Sequence, residues 1–423
     1  MSWLTDLVRQ HEDLEAPLSF WMWSGLAAIS AVVKDNVWLN RQIYNLYPNI
    51  YVMLHAKSGL KKGPPISMAR QLVSAIDGMT VISGRSSVQG ILKEMGTGQT
   101  APGGKIINKN KAFICSSELT SSIVDDPVAT KILTDLYDRN YNVGNWRSLL
   151  KMESFDLKDP TITMLTATNE AMSEGFLTKS AMQGGYFART FIVYESKRNK
   201  INSLTAPLLN PPNYKTSSDY LRELSKLRGE FQQLASLENS VAFCNPKTKG
   251  NRTIYFSNAG LLYDDWYDSF IDNIDKQEIE DDTGTLNRFG DSVLKVALLI
   301  SLSEAPKLEI SESAMTEALR LCEKLLGNIR KTTLGKQGIS NQAVLKTMII
   351  NELLDRPTHQ VTRQILMRKM WMHYGDISEF DDVMNSFDHA GMIKMQAIGD
   401  NILYTMPPTE AEQMKRFMEG KNK

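Results

Sequence analysis

The chain has 423 residues, and its 48 basic and 48 acidic side chains give a formal net charge of zero. This length predicts two or three domains, and the balanced charge excludes a global basic field, so any contact with nucleic acid requires local patches. Three distant cysteines and five scattered histidines predict neither a disulfide framework nor a metal site. The N-terminus lacks a signal peptide and no apolar run reaches the roughly 20 residues of a membrane span, which predicts a cytoplasmic protein without membrane contact.

A helical segment at residues 1–45 is followed by a strand, a loop rich in small and basic residues, and a helix. The apolar strand covers residues 49–55, the loop covers residues 56–63, and the helix opens on Pro64 and Pro65. This order is typical of a phosphate-binding loop, in which backbone N–H groups and a helix N-terminus surround an anion. The loop segment AKSGLKKG lacks both glycines and the final hydroxyl of the pattern G-x-x-x-x-G-K-[ST]. The spacing alone therefore leaves two interpretations open, a nucleotide-phosphate loop and a strand-to-helix turn with solvated lysines.

Further apolar strands alternate with helices in the following part of the chain. The predicted strands are 80–83, 111–119, 160–169 and 187–196. A hairpin is predicted at residues 140–158, with its turn at residues 142–145. Because the strands are almost continuously apolar, we expect them to be buried on both faces of a layered α/β sheet.

The second half of the chain is mainly helical. Amphipathic helices are predicted at 219–237, 286–303 and 311–329, with a hairpin at 240–256. Three helices and then two short strands are typical of a winged helix. The predicted domains are a helical segment (1–45), an α/β core (46–200), a helical region with a small hairpin (201–335), a winged helix (340–408) and a basic tail (409–423).

Two polar side chains follow buried strands of the predicted sheet. Glu118 comes after the apolar run of the third strand, where a carboxylate can polarise an attacking water. The alternative for Glu118 is an acid near a helix N-terminus that interacts with the helix dipole. Asn169 ends the next strand, where its amide can orient water or a phosphate, or simply cap the following helix.

Two arginines are further candidates. Arg189 lies just inside the last predicted strand, where it can serve a neighbouring subunit as a clamp on a transferring phosphate, or be an ordinary surface arginine. Arg288 begins a helix that also carries Asp291 and Lys295. The alternative for this helix start is a solvated face.

Two basic loops are candidates for contact with a nucleic acid strand. The first contains Lys105 and Lys109, and the second contains Trp146, Arg147 and Lys151. Basic side chains with an aromatic ring between them suit the backbone and bases of a single strand. Exposed lysines are also common without any such role.

Taken in order, these features resemble the P-loop ATPases of the AAA+ type. The chain is most similar in pattern to the helicase-like ATPases of phages and mobile elements that accompany primases, and more distantly to the MCM replicative helicases. The resemblance covers roughly residues 15 to 330 and is carried by YPNIYVMLHAKSGLKKGPPI, KAFICSSEL, PTITMLTATNEAM, GGYFARTFIVYE and LNRFGDSVLKVALLISL. It implies a P-loop NTPase core with a helical lid, to which a winged helix is commonly appended.

The resemblance also implies roles for individual residues. Lys62 would contact the β- and γ-phosphates of ATP, Glu118 would activate water, and Asn169 would sense the phosphate. Arg189 would act on a neighbour's site, and Arg288 would be the lid arginine. The implied nucleotide-binding residues are Ser58, Gly59, Lys61, Lys62, Gly63 and Ser117. The cofactors would be ATP and Mg²⁺, although Gly63 replaces the usual Ser/Thr and Ser117 the usual Asp.

The function implied is that of an ATP-dependent motor on single-stranded DNA. The expected protein is a hexameric replicative helicase that hydrolyses ATP at its subunit interfaces, with a primase or another replication protein as a possible partner. One alternative is an ATP-binding loader or initiator with little or no hydrolysis. Another is a structural ring protein that has lost nucleotide binding.

Overall fold

The structure is a computed structural model, and it divides the chain into two compact units. One unit is Met1–Asp268 with Asp282–Ile329, and the other is Ser269–Asp281 with Arg330–Lys423. The residues described are 2–41, 43–84, 86–96, 99–100, 106–107, 110–117, 126–138, 145–149, 154–169, 185–202, 215, 217–236, 253–256, 258–276, 280–281, 284–305, 307–329, 339–340, 342–370, 377–399 and 401–421. Within these ranges, no helix has the length and apolar character needed to cross a membrane.

Helices account for much of both units. They are α1 (Trp3–Gln10), α2 (Leu18–Val33), α3 (Gly63–Ser74), α4 (Val88–Gly96), α5 (Pro127–Asp138), α6 (Ser217–Ala235), α7 (Ala259–Lys276), α8 (Phe289–Glu304), α9 (Glu312–Ile329), α10 (Gln342–Leu354), α11 (Arg363–Met370), α12 (Ile377–His389) and α13 (Pro408–Lys421). Two short 3-10 turns, Phe187–Arg189 and Leu286–Arg288, precede a strand and a helix respectively.

The strands form one large sheet and several small ones. They are β1 (Trp38–Arg41), β2 (Tyr44–Leu46), β3 (Tyr51–His55), β4 (Thr80–Ser83), β5 (Gln99–Thr100), β6 (Ile106–Ile107), β7 (Lys111–Ser116), β8 (Asn145–Leu149), β9 (Ser154–Lys158), β10 (Thr161–Thr168), β11 (Thr190–Tyr194), β12 (Thr253–Phe256), β13 (Glu280–Asp281), β14 (Glu309–Ile310), β15 (Ile339–Ser340), β16 (Gln360–Thr362), β17 (Lys394–Ile398) and β18 (Asn401–Thr405).

The large sheet has five parallel strands in the order β11-β3-β10-β7-β4. Its first strand in the chain, β3, lies between the last two, so the order in chain position is 5-1-4-3-2. All residues of β3 and of β10 are buried, which confirms the expectation of strands covered on both faces. In such a sheet, ligands bind beyond the carboxyl ends of the strands, where the strand order reverses. Here that point is the carboxyl end of β3.

Helix α2 packs directly on this sheet, because almost all of its residues are apolar. Its few polar groups include Ser30, whose Oγ is 2.7 Å from Oγ1 of Thr163 on β10. Helix α6, from the region predicted as a lid, packs against α1, where the Trp3 indole N–H donates to the Leu227 carbonyl at 3.1 Å. The predicted N-terminal and core segments share one compact unit with the predicted lid region, except for lid residues 269–281 and 330–335, which belong to the other unit.

Two predictions about the first unit need correction. The hairpin predicted at 140–158 exists as β8 and β9, but Leu149 pairs with Ser154 and Asn145 lies in β8, so the strands do not turn at residues 142–145. The last strand of the sheet begins at Thr190 and not at residue 187. Of the hairpin predicted at 240–256, residues 253–256 form β12, which pairs in parallel with β1 and β14, and residues 240–252 lie outside the described residues.

The second unit contains α10, β16, α11, α12, β17 and β18 in chain order. Its sheet is antiparallel, in the order β16-β18-β17. The core of the unit includes the fully buried Leu345, Ile349, Leu353, Leu366 and Phe380. The three predicted helices and two predicted strands are present, and the short strand β16 joins them. Most of the predicted basic tail forms helix α13, which begins at Pro408 because proline fits the first turn of a helix.

Candidate functional site

In the loop after β3, a lysine side chain donates hydrogen bonds to two backbone carbonyl groups of the same loop. The Lys62 ammonium group donates to the carbonyl oxygens of Ala56 at 2.7 Å and of Lys57 at 3.0 Å. These acceptors are neutral, so an anion of higher charge can replace them. Lys62 is also the residue from which α3 starts, with Gly63, Pro64 and Pro65 in the first turn. Pro64 and Pro65 have no N–H, so the backbone donors at this helix start are those of Lys62 and Gly63, and the positive dipole end of α3 lies beside them.

Lys61 has the backbone conformation that glycine adopts in the usual motif. Its φ angle is +54°, in the left-handed region, and that of Gly59 is +85°. The Lys61 ammonium group lies 3.6 Å from a Glu15 carboxylate oxygen, and the Arg198 guanidinium group lies 3.7 Å from the same oxygen. Glu15 thus connects the phosphate-loop candidate to the segment between α1 and α2 and to the residues after β11.

A depression of about 290 Å³ brings the loop together with the carboxyl ends of two strands. Its lining consists of Ser58, Gly59, Lys61, Lys62, Gly63, Ser117, Ala167, Thr168 and Asn169. Seven of these nine are residues that the sequence analysis singled out. Among the described residues that line the depression, none carries a carboxylate, whereas two carry ammonium groups. This arrangement suits a small ligand with several negative charges.

Arg189 is buried, and its guanidinium group donates three hydrogen bonds within the chain. Its Nε donates to Asp138 Oδ1 at 2.9 Å, its Nη2 donates to Asp138 Oδ2, and its Nη1 donates to the Gly185 carbonyl at 2.8 Å. Gly185 has a φ of +72°, and a Cβ there would lie 2.7 Å from Arg189 Nη1. This position therefore requires glycine. The alternative of a surface arginine is wrong, because the Arg189 side chain is only 6% exposed.

Arg189 and Arg288 line a second cavity, of about 390 Å³, and lie away from the loop. Arg288 is half-exposed and lies 4.0 Å from the same carboxylate, that of Asp138. Thr190, next to Arg189, pairs with Tyr51 at the amino end of β3, whereas the loop follows the carboxyl end. At about 3.3 Å per residue, the length of β3 separates Arg189 from the loop by roughly 15 Å. An arginine side chain does not span this distance, so Arg189 cannot act on a ligand in its own loop.

The second cavity also contains a buried lysine that the sequence analysis left on a solvated face. Lys295 is 4% exposed, which makes that alternative wrong for this residue. Its ammonium group donates to the Asn49 carbonyl at 2.8 Å and to Asn49 Oδ1 at 3.0 Å, and it lies 3.7 Å from the centre of the Tyr137 ring. Burial lowers the pKa of Lys295 to about 7, against the opposing effect of Asp138 and Asp291. The signal in the sequence was a single lysine inside the apolar run VLKVALLI.

The basic loops are described only in part. Arg147 lies on the exposed side of the β8–β9 hairpin, 4.0 Å from Asp156. Trp146 pairs with the buried Leu157, so its side chain shares the packed side of the hairpin. The remaining candidates, Lys105, Lys109, Lys151 and Glu118, lie outside the described residues.

No model of a known protein family matches the chain, and a comparison with curated proteins finds no significant similarity. The five-stranded parallel sheet, with a loop at its switch point, is compatible with a layered α/β fold of the P-loop kind. What the chain binds is therefore inferred from its own residues.

Replacing Lys61 by glycine tests whether the loop conformation carries strain. The left-handed conformation costs a non-glycine residue about 1–2 kcal/mol, whereas an exposed ion pair such as that with Glu15 contributes at most about 1 kcal/mol. We expect Lys61→Gly to leave the free energy of unfolding unchanged or to raise it by up to about 1 kcal/mol in urea titrations. Lys61→Ala, which loses the ion pair and keeps the strain, should be less stable than Lys61→Gly. The opposite order would contradict this account.

Lys295 should make stability depend on pH. In the unfolded chain a lysine holds its proton up to about pH 10.4, but folded Lys295 loses it near pH 7. The unfolded state therefore binds more protons above pH 7, and the free energy of unfolding should rise by roughly 1.5 kcal/mol between pH 7 and 8.5. Urea titrations at several pH values measure this rise. Lys295→Met keeps the side-chain length without the titrating group, so the rise should disappear, and an identical pH slope in both proteins would refute the assignment.

Proposed function

We propose that the protein is an ATP-dependent motor that moves along single-stranded DNA, of the AAA+ helicase type found in phages and mobile elements. One observation carries the proposal. The lysine-rich loop after β3 shares a depression with Ser117 after β7 and Asn169 after β10. The carboxyl ends of three adjacent parallel strands thus meet at the switch point of the sheet, where the start of α3 adds a positive dipole end.

The loop would bind the triphosphate of ATP. Lys62 would exchange its two carbonyl acceptors for phosphate oxygens, and the backbone N–H of Gly63 would donate to the same ligand, since Pro64 and Pro65 have no N–H. Asn169 would orient the terminal phosphate or a water molecule beside it. Glu118 follows Ser117 directly in the sequence, and its proposed role is the general base for that water.

The residues at the loop do not fit the Mg²⁺ that accompanies ATP in P-loop proteins. The residue after Lys62 is Gly63, which has no side-chain oxygen, and Ser117 replaces a carboxylate. Among the described residues that line the depression, side-chain oxygens belong to Ser58, Ser117, Thr168 and Asn169, and all four are neutral. Magnesium in proteins is usually bound through carboxylates and phosphates. No step of the proposed reaction is therefore assigned to a metal.

The two arginines would act between copies of the chain. Arg189 and Arg288 are too far from the loop of their own chain to reach its ligand. A ring, with six subunits as the expected number, would bring the second cavity of one copy towards the loop of the next. Release of Arg189 from Asp138 would have to accompany this approach, because all its contacts are internal in the single chain.

DNA contact is proposed for the exposed side of the β8–β9 hairpin, where Arg147 lies, and for the basic residues of both loops. We also propose that the second unit is a winged helix. Its helix α12 carries Glu379, Asp381 and Asp382, and Asp381 is paired with Arg363 at 2.7 Å. Carboxylates are repelled by DNA phosphates, which favours a protein partner, such as a primase, for this unit.

A second candidate function is an ATP-binding loader or initiator in which nucleotide acts as an assembly switch. The replacements at Gly63 and Ser117 favour this candidate, because they remove the usual metal ligands but leave the phosphate-binding lysine in place. Strand displacement on a forked DNA distinguishes the two, since a loader alone gives none.

The test of the proposal is nucleotide binding and DNA-stimulated ATP hydrolysis by the full chain. Lys62→Ala should weaken ATP binding by about 10- to 100-fold, because the loop loses its direct partner for the phosphates. Lys57→Ala removes an equal charge from the same loop, outside the depression, and should bind ATP nearly as tightly as the original protein. Equal ATP affinity in the original protein, Lys62→Ala and Lys57→Ala would contradict the proposal. ATP binding without hydrolysis or strand displacement would favour the loader.

A further inference from the structure

The described residues that line the loop depression carry an excess of positive charge. Lys61 and Lys62 line it together with neutral oxygens, and the described part of its lining contains no carboxylate. Glu15 lies 3.6 Å from Lys61 and neutralises part of one charge, but it is not among the lining residues. A ligand in this depression therefore meets positive charge and dipoles supplied by the chain itself.

Metal-free ATP and its magnesium complex differ in the charge that they present to such a site. Mg²⁺ neutralises two of the negative charges of the triphosphate and occupies oxygens that a lysine would otherwise contact. A protein recovers this loss when it supplies ligands to the ion, chiefly carboxylates. At Gly63 there is no side chain to add a ligand, and Ser117 offers an uncharged hydroxyl, which does not replace the charge of a carboxylate.

From this balance we propose that the loop binds metal-free nucleoside triphosphate at least as tightly as the magnesium complex. The inference rests on the proposed nucleotide-binding function and concerns binding alone. Lys62, Lys61 and the positive dipole end of α3 neutralise the triphosphate in place of the metal. The Gly63 N–H is a backbone donor there, whereas Pro64 and Pro65 have none. The ligand class is thus a free nucleoside triphosphate or a similar polyphosphate.

The structure also shows how a side-chain ligand for Mg²⁺ can be introduced at position 63. Gly63 has no positive φ, and a Cβ added there would meet no atom within 4 Å. Serine therefore fits at this position without strain and places a hydroxyl directly after Lys62, as in the usual motif. Alanine fits equally well and adds only the methyl group. Gly63→Ser and Gly63→Ala thus form a matched pair that differs by one oxygen atom.

The experiment is calorimetric titration of the full chain with ATP, once in excess Mg²⁺ and once in EDTA. We expect the original protein and Gly63→Ala to bind ATP equally well in both buffers or more tightly in EDTA. Gly63→Ser should shift the ratio of the two affinities by about tenfold in favour of Mg²⁺, because the hydroxyl now contributes to holding the ion. Thermal shifts with ATP in the two buffers give an independent readout.

The outcomes separate the inference from the proposed function. If the original protein binds ATP more than about threefold more tightly in Mg²⁺ than in EDTA, the inference is wrong although the nucleotide site stands. Loss of that preference in Glu118→Gln would then identify the carboxylate that holds the ion. If ATP binds in neither buffer, the proposed function itself fails.

Discussion

The buried parallel strand β3 is the element on which both candidate sites depend. It lies between β10 and β11, and every one of its residues is buried, so its two ends are fixed relative to the neighbouring strands. Its carboxyl end leads into the lysine-rich loop. Just before its amino end, Asn49 accepts two hydrogen bonds from Lys295 and donates its own amide to the Tyr137 carbonyl at 3.0 Å. Both cavities are therefore tied to the same strand at opposite ends.

Lys62 lies at the carboxyl end of β3 and Arg189 near its amino end. The groups that each one contacts determine how easily it can bind an anionic ligand. Two of the Lys62 hydrogen bonds go to neutral carbonyl groups, which an anionic phosphate can replace with a gain in interaction strength. Arg189 is held by both oxygens of the Asp138 carboxylate and by a carbonyl, and its removal would leave a charge without its partner. Arg189 becomes available only if another group takes its place beside Asp138.

The sequence was informative where hydrophobic pattern and short-range chemistry act together. Alternation of apolar strands and helices predicted a layered α/β sheet, and β4 begins and ends at the predicted residues, Thr80 and Ser83. The prolines after the loop correctly marked the start of α3. The grouping of Lys62, Ser117 and Asn169 followed from strand ends meeting at one edge of the sheet.

Features that depend on contacts between distant segments could not be found in this way. Lys295 is about 250 positions from its partner Asn49, and a lysine on a helix gives no sign of whether a distant carbonyl buries it. The same holds for Arg189, whose partner Asp138 lies at the end of another helix. The turn of the β8–β9 hairpin was misplaced because asparagine and glycine at residues 142–145 favour turns, whereas strand register decided the pairing.

Hydrogen exchange measured by mass spectrometry tests the central claim, that the loop after β3 binds a triphosphate, most directly. The full chain would be compared with and without a slowly hydrolysed ATP analogue, in Mg²⁺ and in EDTA. The account predicts slower exchange at the backbone amides of residues 58–63 and of Ile66, because the loop and the start of α3 supply N–H groups to the phosphates, whereas Pro64 and Pro65 have no amide hydrogen to exchange. Protection confined to the second cavity, at residues 44–49 and 286–295, with unchanged exchange in the loop, would contradict it.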